Sequence, residues 1–169
     1  MKLGKLSLAF SLIACLTGCA RIKLHAYAAR GLSQEPFKAK SSRSLQMGHL
    51  LVDGKTEVLE VFRFDPGNPF AIDDEGCDIL LVELPSLSDA SLPSKIQSPR
   101  AFLRRCACTW GNCTEEASVE GRVEVREQDE RGVRAAMDLL FPSGRKEYTG
   151  WFEFASPDER NLPDRTASE

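Results

Sequence analysis

The stretch VEGRVEVR at residues 119–126 decides the fold. Val119, Gly121, Val123 and Val125 alternate with Glu120, Arg122, Glu124 and Arg126. A period of two puts the first set on one face and the charged set on the other, the signature of a strand with one wet side. After the turn at Asp129-Glu130-Arg131-Gly132, the residues Val133, Ala135, Met137, Leu139 and Phe141 keep the same period. A second turn at Pro142-Ser143-Gly144-Arg145 leads to Tyr148, Gly150, Phe152 and Phe154 on one face, with Trp151 on the other. Three strands in succession make an antiparallel meander, whose edges must be covered or closed.

Working towards the N-terminus, the pattern stays short and apolar. Residues 49–52 (HLLV) run into Asp53-Gly54, a hairpin signal. Residues 56–64 alternate and stop at Asp65-Pro66-Gly67-Asn68-Pro69, while 77–84 (CDILLVEL) read as a buried strand. Residues 85–99 hold three prolines and five serines and read as a long surface connection, followed by a strand over 101–108. The sum is an all-β domain, an antiparallel sandwich or small barrel of about seven strands, spanning 44–155. Residues 156–169 read as a disordered tail.

Composition is that of an ordinary globular chain: 169 residues, 42% hydrophobic and 28% charged. The charge is unevenly spread. Residues 21–43 carry six Lys/Arg against Glu35 alone, whereas 44–169 carry 14 Lys/Arg against 24 Asp/Glu. The segment 19–43 reads as a basic flexible tether, with room for a short helix over 22–30. The acidic body argues against nucleic acid as a partner, since phosphate binding requires positive surface.

At the start, Lys2 and Lys5 precede an apolar run over 6–13 that is too short for a bilayer, which takes about 20 apolar residues. It ends in Leu16-Thr17-Gly18-Cys19. These four residues resemble the lipobox of bacterial lipoproteins. The resemblance implies that residues 1–18 are a signal peptide removed on maturation and that Cys19 is acylated, leaving 151 residues. It also implies anchoring in a membrane of the cell envelope. Ala20 stands where an aspartate would favour the inner membrane, so the outer membrane is expected.

With Cys15 lost and Cys19 lipidated, Cys77, Cys106, Cys108 and Cys113 remain. An even set in an exported chain implies two disulfides. If 109–112 is a hairpin loop, Cys108 faces Cys113, and Cys77 then joins Cys106. Four thiolates could hold zinc, but the spacing lacks the usual Cys-x2–4-Cys pairs, so neither metal nor cofactor is expected.

Candidate chemistry is sparse. The acidic turn 73–78 lacks the spaced ligands of a calcium loop. His25 falls in the tether, and His49 is the one base in the domain. The carboxylate pairs Glu115-Glu116 and Glu60 with Asp65 offer a hydrolase chemistry that 24 acids also produce by chance. Trp110, beside Gly111 in the expected hairpin loop, is the aromatic expected to bind a ligand, and Trp151 either covers a second sheet or meets a partner. The expected role is a non-catalytic binding or accessory module for an envelope protein, glycan or small ligand. The alternative is an inhibitor of a lysozyme-like hydrolase: residues 143–148 (SGRKEY) resemble the serine-glycine loop of small lipidated β-barrel lysozyme inhibitors, over those few residues. A carboxylate-dependent hydrolase comes third.

Overall fold

The computed structural model describes residues 21–38, 47–67, 75–86, 91–107 and 113–155. Their regular structure is entirely β. The strands are β1 (Arg21–Tyr27), β2 (Arg30–Leu32), β3 (Phe37–Lys38), β4 (Met47–Gly48), β5 (Leu51–Asp53), β6 (Glu57–Asp65) and β7 (Gly76–Leu84), followed by β8 (Ser94–Gln97), β9 (Arg100–Ala107), β10 (Cys113–Ala117), β11 (Glu120–Asp129), β12 (Gly132–Phe141) and β13 (Gly144–Phe154). Nine of them form one curled sheet in the order β10-β9-β7-β6-β1-β13-β12-β11-β8, a half-barrel; β2 pairs with β5 and β3 with β4 in two small sheets.

The meander is as the alternation predicts, except that Val119 precedes β11 and is exposed. β11 pairs with β12 from Glu120 opposite Leu140 to Asp129 opposite Gly132, and β12 pairs with β13 from Gly132 opposite Glu153 to Phe141 opposite Gly144. Val123, Val125, Val133, Ala135, Met137, Leu139, Phe141 and Phe152 all point into the curl and are buried. They meet Leu59 and Val61 of β6, Leu80 and Val82 of β7 and Leu103 of β9 in one core.

Curling relieves the edge problem. The two-residue link between β10 and β11 touches strands from both halves of the sheet order, β9 and β12: Ser118 donates its N–H to the Ala101 carbonyl and Val119 to that of Leu140, each at 2.9 Å. Side chains continue the closure at the β12–β13 turn, where Arg105 donates to the Ser143 hydroxyl at 2.9 Å and the Ser143 N–H donates to Glu116 at 2.9 Å.

Three expectations are corrected. Residues 21–38 are not a tether, and 22–30 form no helix: β1 lies inside the sheet, antiparallel to β6 along its whole length and parallel to β13 at His25 and Ala26. The basic residues misled because Arg21, Lys23 and His25 occupy the outer face, while Leu24 and Ala26 face the core. The domain thus includes residues from Arg21 onward. Second, Asp53-Gly54 does not join a hairpin, because β5 pairs with β2 while β6 enters the large sheet. Third, the connection over 85–99 contains β8, which pairs with β11. The expected signal peptide at 1–18, the lipidated Cys19 and the tail at 156–169 lie outside the described residues.

Residues following β1 cross the outer face of the half-barrel. Tyr27, Leu32, Val58 and Ala155 form a second small core there, with Leu51, Leu81 and Phe102 packed against it. Arg100 ties this layer down. Its guanidinium donates to the carbonyls of Leu32 at 2.9 Å, Ser33 and Gln34, meets Glu83 at 3.2 Å and lies 5.1 Å from the Phe102 ring centroid. Arg100→Ala leaves those carbonyls without their donor and is expected to cost about 2 kcal/mol. Hydrogen exchange checks this: amides of residues 30–34 should exchange faster while those of β12 keep their protection relative to global stability.

Candidate functional site

A depression of about 750 Å³ lies on the outer face near the β11–β12 hairpin. Local chemistry builds it. Asp129 Oδ1 accepts the N–H of Arg131 at 2.7 Å and of Gly132 at 3.2 Å, closing the turn. The Arg131 N–H is the main cause that holds the Asp129 carboxyl below its usual range. At Gly132 an added Cβ would overlap the Phe152 carbonyl oxygen, so glycine lets β12 approach β13 here. A register shift between Val125 and Glu127 brings Glu127 opposite Arg134, which in turn pairs with Trp151.

Phe152 faces the core, so Trp151 faces outward. The Arg134 guanidinium stands 6.0 Å from the indole centroid and 3.1 Å from Glu127, and Arg131 meets Asp129 at 3.4 Å. With each arginine matched by one carboxylate, Glu130 and Glu153 at the same rim leave surplus negative charge. An indole face bordered by carboxylates is suited to a cationic group, which the ring quadrupole and the acids both attract.

A second groove, about 440 Å³, crosses β8, β11, β12 and β13. Its charges are mutually engaged, Arg122 with Asp138 at 3.4 Å and Arg126 with Glu124 at 3.3 Å, and no aromatic ring lines it. Both depressions hold paired charges, and the indole of Trp151 with the additional acids Glu130 and Glu153 sets the first apart. We therefore take the Trp151 depression as the candidate site.

The residues singled out in the sequence are dispersed. Trp110 and Cys108 lie outside the described residues. Glu115 and Glu116 are neighbours on β10 and point to opposite faces, as do Glu60 and Asp65 on β6. Neither pair converges on a common point. Residues 143–148, expected as a loop, are instead the turn residue Ser143 and the first five residues of β13, at the seam of the half-barrel. The Ser143 hydroxyl contacts Glu116 and Arg105, and Asp78 lies between Lys146 at 3.5 Å and Arg105 at 3.6 Å. Burial, then the Asp78 charge, pushes the Tyr148 phenol above its ordinary value, against Arg63 and Arg105.

The cysteine pairing is also corrected. The bond joins Cys106 to Cys113, not Cys108 to Cys113, and Cys77 is outside it. Register is the reason: Cys106 lies opposite Cys113 on β10 and opposite Cys77 on β7, so three cysteines form one row across three strands. Both neighbours of Cys106 meet the distance that a disulfide needs. Cys113→Ser is expected to lose about 2.5 kcal/mol, the value for closing so short a loop. Under oxidising conditions the same variant should form Cys77–Cys106, which peptide mapping would detect.

His49 is held as part of the structure. Its ring stacks on Phe102 at a 3.7 Å centroid distance, Nδ1 lies 2.9 Å from the Ser33 carbonyl oxygen, and Nε2 lies 2.8 Å from Glu115 Oε1. The two side chains are 1% and 7% exposed. Burial pushes the Glu115 carboxyl above its ordinary 4.5, with His49 and Arg104 pulling the other way. Burial likewise lowers the Arg104 guanidinium, opposed by Glu115 and Cys77.

A carboxyl raised on folding contributes stability in its neutral form, present at low pH and lost as pH climbs through the raised value. The stability of the protein relative to Glu115→Gln should therefore fall as pH rises above about 4. Denaturant midpoints across that range check the sign; a difference that grows with pH would mean that the His49 contact outweighs burial.

No protein-family model matches this sequence, and neither curated proteins nor solved structures provide a match.

Proposed function

We propose that this chain is a lipid-anchored protein of the bacterial cell envelope, sorted to the outer membrane, whose β domain is a non-catalytic binding module. The observation that carries the anchor is Leu16-Thr17-Gly18-Cys19 at the end of the apolar run behind Lys2 and Lys5. The binding role is supported by the Trp151 depression, and the occupant it suits is a basic segment of a partner protein. Acyl chains on Cys19 would hold the domain at the membrane, since two or more chains anchor stably where one does not.

Metabolic labelling with an alkyne fatty acid tests the anchor. The wild-type chain should take up label and Cys19→Ser should not, moving to the soluble fraction; an unlabelled wild type overturns the reading. Crosslinking in intact envelopes tests the module. Trp151→Ala, on the outer face away from the main core and so expected to keep the fold, should lose a specific product and weaken binding by about 30-fold, the effect of a binding hot spot. Identical products from both proteins would refute this site.

A further inference from the structure

We propose that the domain does not hang free on a tether but docks on an anionic bilayer through the start of β1 and the adjoining outer face of β6. The inference rests on the lipid-anchor reading and adds to it a surface.

Chain length comes first. From Cys19 to Arg21 there are two residue steps, at most about 7 Å of extended backbone. Arg21 is already the first residue of a strand that pairs along its length with β6. A lipid on Cys19 therefore brings this end of the sheet to the headgroups.

The residues there suit that position. Arg21, Ile22 and Lys23 are exposed, and Ile22 keeps 53% of its surface open to solvent. On the outer face Arg21 pairs with Phe64 and Lys23 with Phe62, and both rings are half-buried. Two cations alternate with two aromatic rings directly beside the proposed acyl chains. Cations at a bilayer surface are attracted to anionic headgroups within about a Debye length, and aromatic rings favour the headgroup zone. Asp65 and Glu75 also stand at this end, so the attraction comes from the placement of Arg21 and Lys23 next to the anchor and not from a net positive face.

Distances follow from the register. β1 and β13 run parallel, with His25 opposite Glu153, four residues and about 13 Å further along the strand from Arg21. Gly132 of the β11–β12 turn is level with Glu153, so the carboxylates of that turn stand this far from Arg21, while Trp151 is level with Lys23 on the neighbouring strand.

Lysine acetylation of the lipidated full-length protein tests this, with mass spectrometry reading Lys23 against Lys55 and Lys95. The protein is compared in detergent, on phosphatidylcholine vesicles and on vesicles with added phosphatidylglycerol. Lys23 should react several-fold more slowly only on the anionic vesicles, and high salt should restore its rate. Lys55 and Lys95 should not change. Arg21→Glu with Ile22→Ser should still float with vesicles yet lose the protection of Lys23. Equal Lys23 rates in all three media, with the protein floating, overturn the docking alone. Protection that persists in detergent points to a second copy or another protein on the patch and also overturns it. Failure to float overturns the anchor and the docking together.

Discussion

Ala26→Asp is expected to abolish the cooperative fold or lower its melting temperature by about 15 °C or more. Ala26 is fully buried, and its side chain enters the main core from β1, between Leu59 of β6 and Phe154 of β13. A carboxylate placed there has no partner, and burying it unpaired costs upwards of about 4 kcal/mol. The position matters beyond its own volume. In the sheet order β1 is the junction between β10-β9-β7-β6 on one side and β13-β12-β11-β8 on the other. Its bond to β13 is short, two register pairs, reinforced where Ala155 donates its N–H to the Ala26 carbonyl at 2.8 Å. Were residues 21–38 a tether, the substitution would change stability by no more than about 0.5 kcal/mol. Circular dichroism melts decide between the two, and a melting temperature within about 2 °C of wild type would refute the placement of β1.

Phe152→Ala is expected to cost about 3–5 kcal/mol, measured by urea denaturation. Phe152 is fully buried, opposite Val133, and removing its ring leaves a cavity that a close-packed sheet interior cannot collapse to fill. Trp151→Ala, one residue earlier, deletes a larger ring from the outer face and should cost less than Phe152→Ala, because that ring stays partly solvated. Two adjacent aromatics with unequal costs are the energetic form of a period of two. Equal losses at both positions would mean that β13 is not seated as described.

These two substitutions divide what the chain discloses. Phe152 is readable from the letters alone, because the meander alternates apolar and charged residues through three strands joined by tight turns. Ala26 is not. The run RIKLHAY carries three basic side chains, and the set it turns to the main core is reduced to Leu24 and Ala26, too short a pattern to separate from a linker. The four-residue β8 is hidden among prolines and serines for the same reason.

The candidate site shows a similar split. That Trp151 faces away from Phe152 follows from alternation. That Arg134 lies over it, matched to Glu127, depends on the register shift near Val125, which no local pattern announces. The disulfide is alike in kind. The sequence suggests that the cysteines are oxidised, through the export signal and their even number. Which sulfur meets which depends on strand register, and a difference of two residues moved the partner of Cys113 from Cys108 to Cys106.

By itself, then, the sequence determined the all-β class, the C-terminal meander and the face each of its residues takes, because a strand's period of two is a local property of the backbone. Tertiary structure alone decided that the basic segment after Cys19 is an interior strand, that Cys106 pairs with Cys113, and that Trp151 sits among carboxylates. Those outcomes depend on which strands lie side by side, and burial is bestowed by residues far away in the chain.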